Sequence, residues 1–517
     1  DIDINNDTFL ASREPYTILN KGLTNGVFQV ESAGMKDLLL RLQANSLGDI
    51  SAVLALYRPD SMDALEDYIA AKNGTKVFHN FHKDLDNILS ETYNCMLYQE
   101  QLMNIVRVFG NRTYGGSDLF RKAVGKKDKK LVEKESKKLY YEIIENGYDE
   151  QTAKKISDFL STKAGYCFNQ SHSYAYAVLT LQTAYLKAKY PLYFFKALFN
   201  LNKDKPGKVN KYILDAREFG IEVLPPDINK SEVNFSVYDG KILFGLSAIN
   251  SIGETIAEQI VAERNKNGKF KNFTDFINRI PVKKKQIIMF IKSGAIPCKD
   301  KMTFMKQYIM SLYKASSYTI PTKLPSYNKL IIDWGIDIEK YRIGTKKYDY
   351  DKMALMKEYG QLHLDKWLNK EADRKLEYFN NNKEYLEDQP FWEFQALQIF
   401  VGKNPFEDTY KYIKADFKSV DKGEDCVVTG LISSVQKKKD KNKNNYAFIN
   451  IYSCFGLIEA MVWASTLREN EQYVKKGQKV AILCKKDGEE KAIVKEIKSY
   501  DEWLEDIGRK RLNGKKV

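Results

Sequence analysis

The chain has 517 residues, too many for one hydrophobic core, so three or four domains are expected. Its 82 Lys+Arg against 68 Asp+Glu leave a net charge of +14, which suits a polyanionic partner. Hydrophobic residues at 43% exclude wholesale disorder, and apolar runs such as Tyr190–Phe199 fall far short of the about 20 residues of a membrane span, so a soluble, cytoplasmic protein with no membrane partner is expected.

Residues 1–225 read as mainly helical. Met35–Leu42 is a short amphipathic segment, and Leu102, Ile105, Val106 and Phe109 form one helical stripe. Lys129–Asn146 is closed by Gly147, and Tyr174–Lys189 runs until Pro191 breaks or kinks it. Phe235–Phe244 is a hairpin in outline around Asp239–Gly240, a strong type I′ pair. Ser251-Ile252-Gly253 then leads into a helix over Glu254–Arg264. Residues 297–420 carry the weakest pattern, with helical patches at Met302–Tyr313 and Tyr350–Phe379. Five alternating runs follow: Cys426–Val435, Tyr446–Tyr452, Leu457–Trp463, Lys479–Cys484 and Ala492–Ile497. They predict a small OB-type barrel with a basic hairpin loop over Gln436–Asn445. After Tyr500 a basic tail is expected.

The six cysteines (95, 167, 298, 426, 454 and 484) show no CxxC pair, which argues against a disulfide framework or a zinc module. His79 and His82 read as a solvated pair, and neither Asp1–Asp3 nor Asp349–Asp351 reads as a metal clamp. No catalytic or metal-ligating residue is assigned in this chain. Asp1 in place of an initiator Met suggests a longer chain that was cut, spliced or partly sequenced.

Three features point to a polyanion. Backbone N–H groups at Ser251, Ile252 and Gly253 open at a helix N-terminus and form an anion cradle, with Lys266, Lys269 and Lys271 beyond the helix; an ordinary helix cap explains the same residues equally well. The barrel combines Tyr446, Phe448, Tyr452 and Phe455 with Lys437, Lys438, Lys439, Lys441 and Lys443, a set able to stack and steer single-stranded bases, although alternation turns half of the aromatics inward. Arg121, Lys122, Lys126 and Lys127 offer cations on successive helical turns for a triphosphate, or simply an exposed helix end.

The segment Thr24–Leu38 resembles the fingers of the bacterial DNA polymerase III alpha subunit, the C-family replicative polymerase. Further blocks follow in family order: Ala55–Pro59, Tyr98–Met103, Asp118–Lys127, Ala164–His172, Leu181–Pro191 and Val223–Asn229. The resemblance is strong over 9–296, weaker over 297–420, and returns at 425–498. It implies a multidomain α+β protein: fingers over 1–225, a helix-hairpin-helix region for duplex and clamp binding over 226–296, a poorly defined helical connection over 297–420, an OB barrel over 421–500 and a basic tail over 501–517. By resemblance Arg121, Lys122, Lys126, Lys127, Asn169, Ser171, His172 and Arg58 bind the incoming dNTP. By the same resemblance the helix-hairpin-helix and barrel residues would bind primer–template DNA.

The sequence departs from the family at several of these points. Lys122 stands where a second arginine is usual, Gln170 where a lysine is, and Ser251 where a glycine helps form the hairpin; Asp60-Ser61 replaces a Gly-Pro. The resemblance implies a DNA-directed DNA polymerase whose Mg²⁺ ions sit on the aspartates of a palm preceding the fingers. That palm is expected in the rest of the polypeptide or in a companion chain, so this chain alone should not polymerise. A sliding clamp is a further implied partner, with Gln361–Leu364 and Gln395–Phe400 as candidate peptides. The rival reading is a non-catalytic DNA-binding or clamp-tethering replisome subunit.

Overall fold

The computed structural model describes residues 12–58, 62–77, 80–125, 129–163, 167–382, 391–402, 404–406, 417, 420–441, 443–453, 456–488 and 490–512. They form two compact units: one built from 1–223, 237–242 and 406–517, the other from 224–236 and 243–405.

Among the described residues, two core clusters lie in the helical part of the first unit. One gathers Leu39, Val53, Leu56, Leu181 and Ala184; the other gathers Leu102, Ile105, Phe109, Phe120, Leu139 and Ile156. The stripe read from Leu102 to Phe109 is the buried face of helix α1 (Gln99–Gly110). Helix α2 (Tyr114–Gly125) packs against it and buries Phe120. Helix α3 (Gln170–Lys189) starts four residues before the predicted point, because Asn169 caps it by accepting from the His172 N–H. As expected, the helix ends at Lys189, just before Pro191. Pro191 occupies the first turn of a new helix, Pro191–Leu201, where its missing N–H costs nothing. His82 is half-buried: its Nδ1 accepts from the Asp84 N–H, and its ring lies edge-on to Phe109 and Tyr148. His79 and Asp1–Asp3 lie outside the described residues.

Lys187, fully buried on α3, donates to the Leu23 and Asn25 carbonyls and to Asp215, which pins the Thr24–Gly26 loop to the helix. Burial pushes its pKa down while Asp215 opposes the shift. Gly26 is required in that loop twice over. Its φ is +77°, and a Cβ there would collide with Leu198.

The barrel belongs to the same unit. Strands β1 (Asp425–Lys439), β2 (Asn445–Ser453), β3 (Gly456–Val462), β4 (Lys479–Gly488) and β5 (Lys491–Ser499) close in the order β1-β2-β3-β5-β4, with β3 and β5 parallel and the rest antiparallel. That is the OB topology. β1 serves both sides of the closure. Residues 425–431 pair with β4 and 430–439 with β2, around an irregularity at Ile432–Ser434. Two expectations change. The basic stretch 436–439 is strand, because it pairs with Asn445–Phe448, and the turn shrinks to Asp440–Asn444. The expected tail is helix over Tyr500–Leu512, with Tyr500 stacked on Trp503 and Ile507 buried. Helix α4 (Pro206–Glu218) packs on β3, placing Leu457 against Gly207 and Leu214 against Gly456.

The hairpin forms between Ser236–Tyr238 and Lys241–Leu243, with both Asp239 (φ 49°) and Gly240 (φ 71°) left-handed. In the second unit, helices α5 (Glu254–Asn267), Phe273–Arg279 and α6 (Lys284–Ser293) enclose Phe270, Phe276 and Phe290. The patch read at Tyr350–Phe379 is one 30-residue helix, α7 (Lys352–Asn381), and Asp351 caps it. Glu371 on α7 accepts from Tyr313, the Ser316 N–H and hydroxyl, and Arg374; the Ser316 and Tyr313 bonds dominate and hold its carboxyl at about 2.

Candidate nucleotide and nucleic-acid interface

Four chain segments of the first unit meet at one place. Arg121 on α2 donates through Nε to Asp118 Oδ1 (2.7 Å) and through Nη1 to Gln99 Oε1 (3.4 Å). Lys122 Nζ lies 2.8 Å from Asp118 Oδ2, so one carboxylate holds both cations side by side. Their hydrogen bonds, Lys122 first, keep Asp118 below the usual carboxylate range. Gln99 opens α1 and joins the chain at Phe168, whose carbonyl accepts from the Gln99 N–H at 2.8 Å. The Arg58 guanidinium lies 4.6 Å from the Phe168 ring centroid. Asn169 and the Gln170 N–H both donate to Glu100 (3.1 and 2.8 Å), and Ser171 and the His172 N–H both donate to Asn169 Oδ1. The His172 ring packs 4.4 Å from Tyr176.

Arg58, Arg121, Lys122, Asn169, Ser171 and His172, expected to share a pocket, are therefore brought into one connected cluster. Lys126 and Lys127 lie outside the described residues. Sequence reading missed Gln99, Glu100, Asp118 and Phe168, which carry the links. Their place beside the basic block and ahead of Asn169 was the available signal. The cluster's two carboxylates are both engaged, Asp118 by Arg121 and Lys122 and Glu100 by Asn169 and Gln170. Among the described residues no group of three His, Cys, Asp or Glu side chains is placed to hold a metal ion.

In the second unit Ser251 has φ +67°, the left-handed conformation that a glycine adopts freely. Gly253 has an ordinary φ of −82°, and a Cβ there would meet nothing within 4 Å, so its own fold does not require glycine. Ile252 is buried and offers only its backbone. Lys266, Lys269 and Lys271 do not join this turn. They sit at or beyond the far end of α5, about 20 Å along its axis from Gly253. The lysines beside the turn are Lys283, Lys284 and Lys285 at the start of α6, where Gln286 donates to the Ser251 carbonyl at 3.4 Å. The run Lys283-Lys284-Lys285 was the missed signal. Replacing Ser251 by Gly is expected to hold or raise stability, by up to about 1 kcal/mol, and Ser251→Val to lower it by about 1–2 kcal/mol. Denaturant unfolding of the full chain measures both.

On the barrel, alternation along β2 turns Tyr446, Phe448 and Asn450 outward. Phe448 pairs with Met461 of β3; Tyr446 lies 5.7 Å from Phe448 and 6.1 Å from Trp463, which is 48% exposed; and Lys438 reaches over Phe448 at 4.9 Å. Tyr452 is buried and leaves the proposed set, Phe455 lies outside the described residues, and Trp463 joins it. Lys437 turns instead to Glu471 at 2.5 Å, and Lys439, Lys441 and Lys443 are exposed around the turn.

Of the two candidate clamp peptides, Gln361–Leu364 is a stretch of α7. Gln395–Phe400 is docked inside its unit: Leu397, Ile399 and Phe400 are at most 4% exposed, and Lys292 holds Gln395. Its apolar residues are not free to enter another protein.

A mainly helical part, a helix-hairpin-helix region and a closed five-stranded barrel together define a multidomain α+β protein. Residues 2–147 match the bacterial DNA polymerase III alpha subunit finger domain, and residues 220–302 match a helix-hairpin-helix motif. Relatives include the DNA polymerase III subunit alpha of Aquifex aeolicus (strain VF5), 32% identical over 509 residues, which are 95% of this chain and 39% of that protein. That of Bacillus subtilis (strain 168) is 30% identical over 485 residues, 92% of this chain and 40% of that protein. That of Deinococcus radiodurans reaches 41% over 290 residues. Across 95% of its length the chain is similar to a DNA polymerase III alpha subunit, and it spans about two fifths or less of the length of these relatives.

Proposed function

We propose that this chain is the part of a replicative, DNA-directed DNA polymerase that grips the incoming dNTP and the primer–template. The observation that carries the reading is the convergence of Arg58, Arg121, Lys122, Asn169 and His172 from separate segments onto one cluster. Arg121 and Lys122 would bind the triphosphate, with Arg121 able to make paired contacts and Lys122 a point charge. Asp118 keeps both cations parallel until phosphate oxygens replace it. His172, flanked by Phe168 and Tyr176, would bound the pocket on the side of the sugar and base. The Ser251–Gly253 turn with Lys283–Lys285 would hold a duplex backbone, and the barrel face would hold single-stranded template.

The engaged carboxylates do not form a two-metal clamp. The Mg²⁺ ions that such a polymerase uses would be held by a palm in the remaining polypeptide or in a companion chain, with the cytoplasm as the site of action. The test is primer extension with dNTPs and Mg²⁺, by this chain alone and then mixed with the palm-bearing part of the protein. Extension only in the mixture is expected. Absence of extension in both, with tight primer–template binding, would replace the reading with a DNA-binding subunit.

A further inference from the structure

Two cysteines that sequence spacing did not connect face each other inside the barrel. Cys426 on β1 and Cys484 on β4 are direct cross-strand partners, and their Sγ atoms are 3.7 Å apart. Both belong to the barrel core beside Val428 and Ile482. Cys484 is fully buried, whereas Cys426 is 6% exposed near the start of β1, one residue after the exposed Asp425. Closing the gap to a disulfide needs the sulfurs to approach by about 1.7 Å, within reach of side-chain rotation between adjacent strands.

We propose that Cys426 and Cys484 form an oxidisable dithiol that a small hydroperoxide converts to a cross-strand disulfide, bolting β1 to β4. Cys426, as thiolate, attacks the peroxide oxygen; the O–O bond breaks and the leaving oxygen departs as water, giving a sulfenic acid. The Cys484 sulfur then attacks the Cys426 sulfur, the S–S bond forms, and the hydroxyl leaves as a second water. Two thiols lose two electrons and two protons, and one hydrogen peroxide becomes two waters. The order follows from exposure, because Cys426 is the less buried of the two residues and sits near the start of β1. The hydrogen bond between the two sulfurs acts in the same sense, lowering Cys426 from the usual thiol value and raising Cys484. The crosslink closes a span of 58 residues that contains β2 and β3, so it restricts the unfolded barrel.

The experiment treats the full chain with hydrogen peroxide, blocks residual thiols, and maps the digest by mass spectrometry before and after dithiothreitol. The expected product is a Cys426–Cys484 crosslinked peptide, 2 Da lighter than the two reduced peptides together. A rise of about 5 °C or more in the barrel's unfolding transition should accompany it and be lost on reduction. Cys426→Ser should abolish both the crosslink and the rise. Oxidation of Cys95 and Cys298 in a sample where Cys426 and Cys484 stay as separate peptides would overturn the proposal, and that result needs no variant.

Discussion

Replacing Arg121 by Ala should raise the dNTP concentration for half-maximal primer extension by about 10- to 100-fold in the polymerase assembled with its palm. A hydrogen bond to a charged partner contributes about 1.5–3 kcal/mol, and each 1.4 kcal/mol is a factor of about ten. Arg121 is half-buried and aimed by Asp118 and Gln99, so little side-chain freedom would be lost if phosphate replaced Asp118 as proposed. Lys122→Ala should cost less, because that ammonium is 57% exposed and better screened. Lys122→Arg should lower the nucleotide requirement by restoring a forked donor. The double change Arg121→Ala, Lys122→Ala should exceed either alone. An unchanged nucleotide dependence in an active enzyme would remove both residues from the triphosphate site.

Loss of Tyr446 and Trp463 together should weaken single-stranded DNA binding by about 30-fold or more, since each stacked base is held by about 1–3 kcal/mol. The two rings lie on an open face, so the barrel itself should unfold at nearly the same temperature in Tyr446→Ala, Trp463→Ala protein. The defect should persist at high salt, because stacking releases no counterions. Removal of Lys441 or Lys443 should instead flatten the salt dependence by about one counterion per lysine. Equal affinity of the double variant and the unaltered chain for oligothymidylate would exclude the face as a stacking platform.

The barrel was legible because its core is strictly alternating: Ile449, Ile451, Ile458, Ala460 and Val462 point inward at every second position. The ends of its strands were not. Lysine has poor strand preference, so Lys437–Lys439 looked like loop until partners at Asn445–Ala447 gave their backbone a ladder. The same pairing separates Lys438 from Lys437, a distinction that composition cannot make. In the cluster around Asp118, Arg121 and Asn169 stood out through family resemblance. Gln99, Glu100 and Phe168 did not, because their role arises from a contact between segments some 70 residues apart. Lysines near the hairpin were misplaced for a simpler reason. Proximity in sequence to Gly253 favoured Lys266, but a straight helix carries it away, whereas Lys283 returns through a second turn.

The packing of α4 across β3 would limit how much single-stranded DNA the proposed barrel face could take. Leu457 and Gly456 are covered and Tyr452 is buried, so the lower half of the β2–β3 face is closed. Two ring positions on β2 remain, Tyr446 and Phe448, spanning about 7 Å of strand, with Trp463 at the rim. That is room for about two or three bases, below the about 4–16 nucleotides that OB folds occupy. If the barrel takes single-stranded template as proposed, so short a footprint would hold it loosely enough to advance one nucleotide at a time, a guide rather than an anchor.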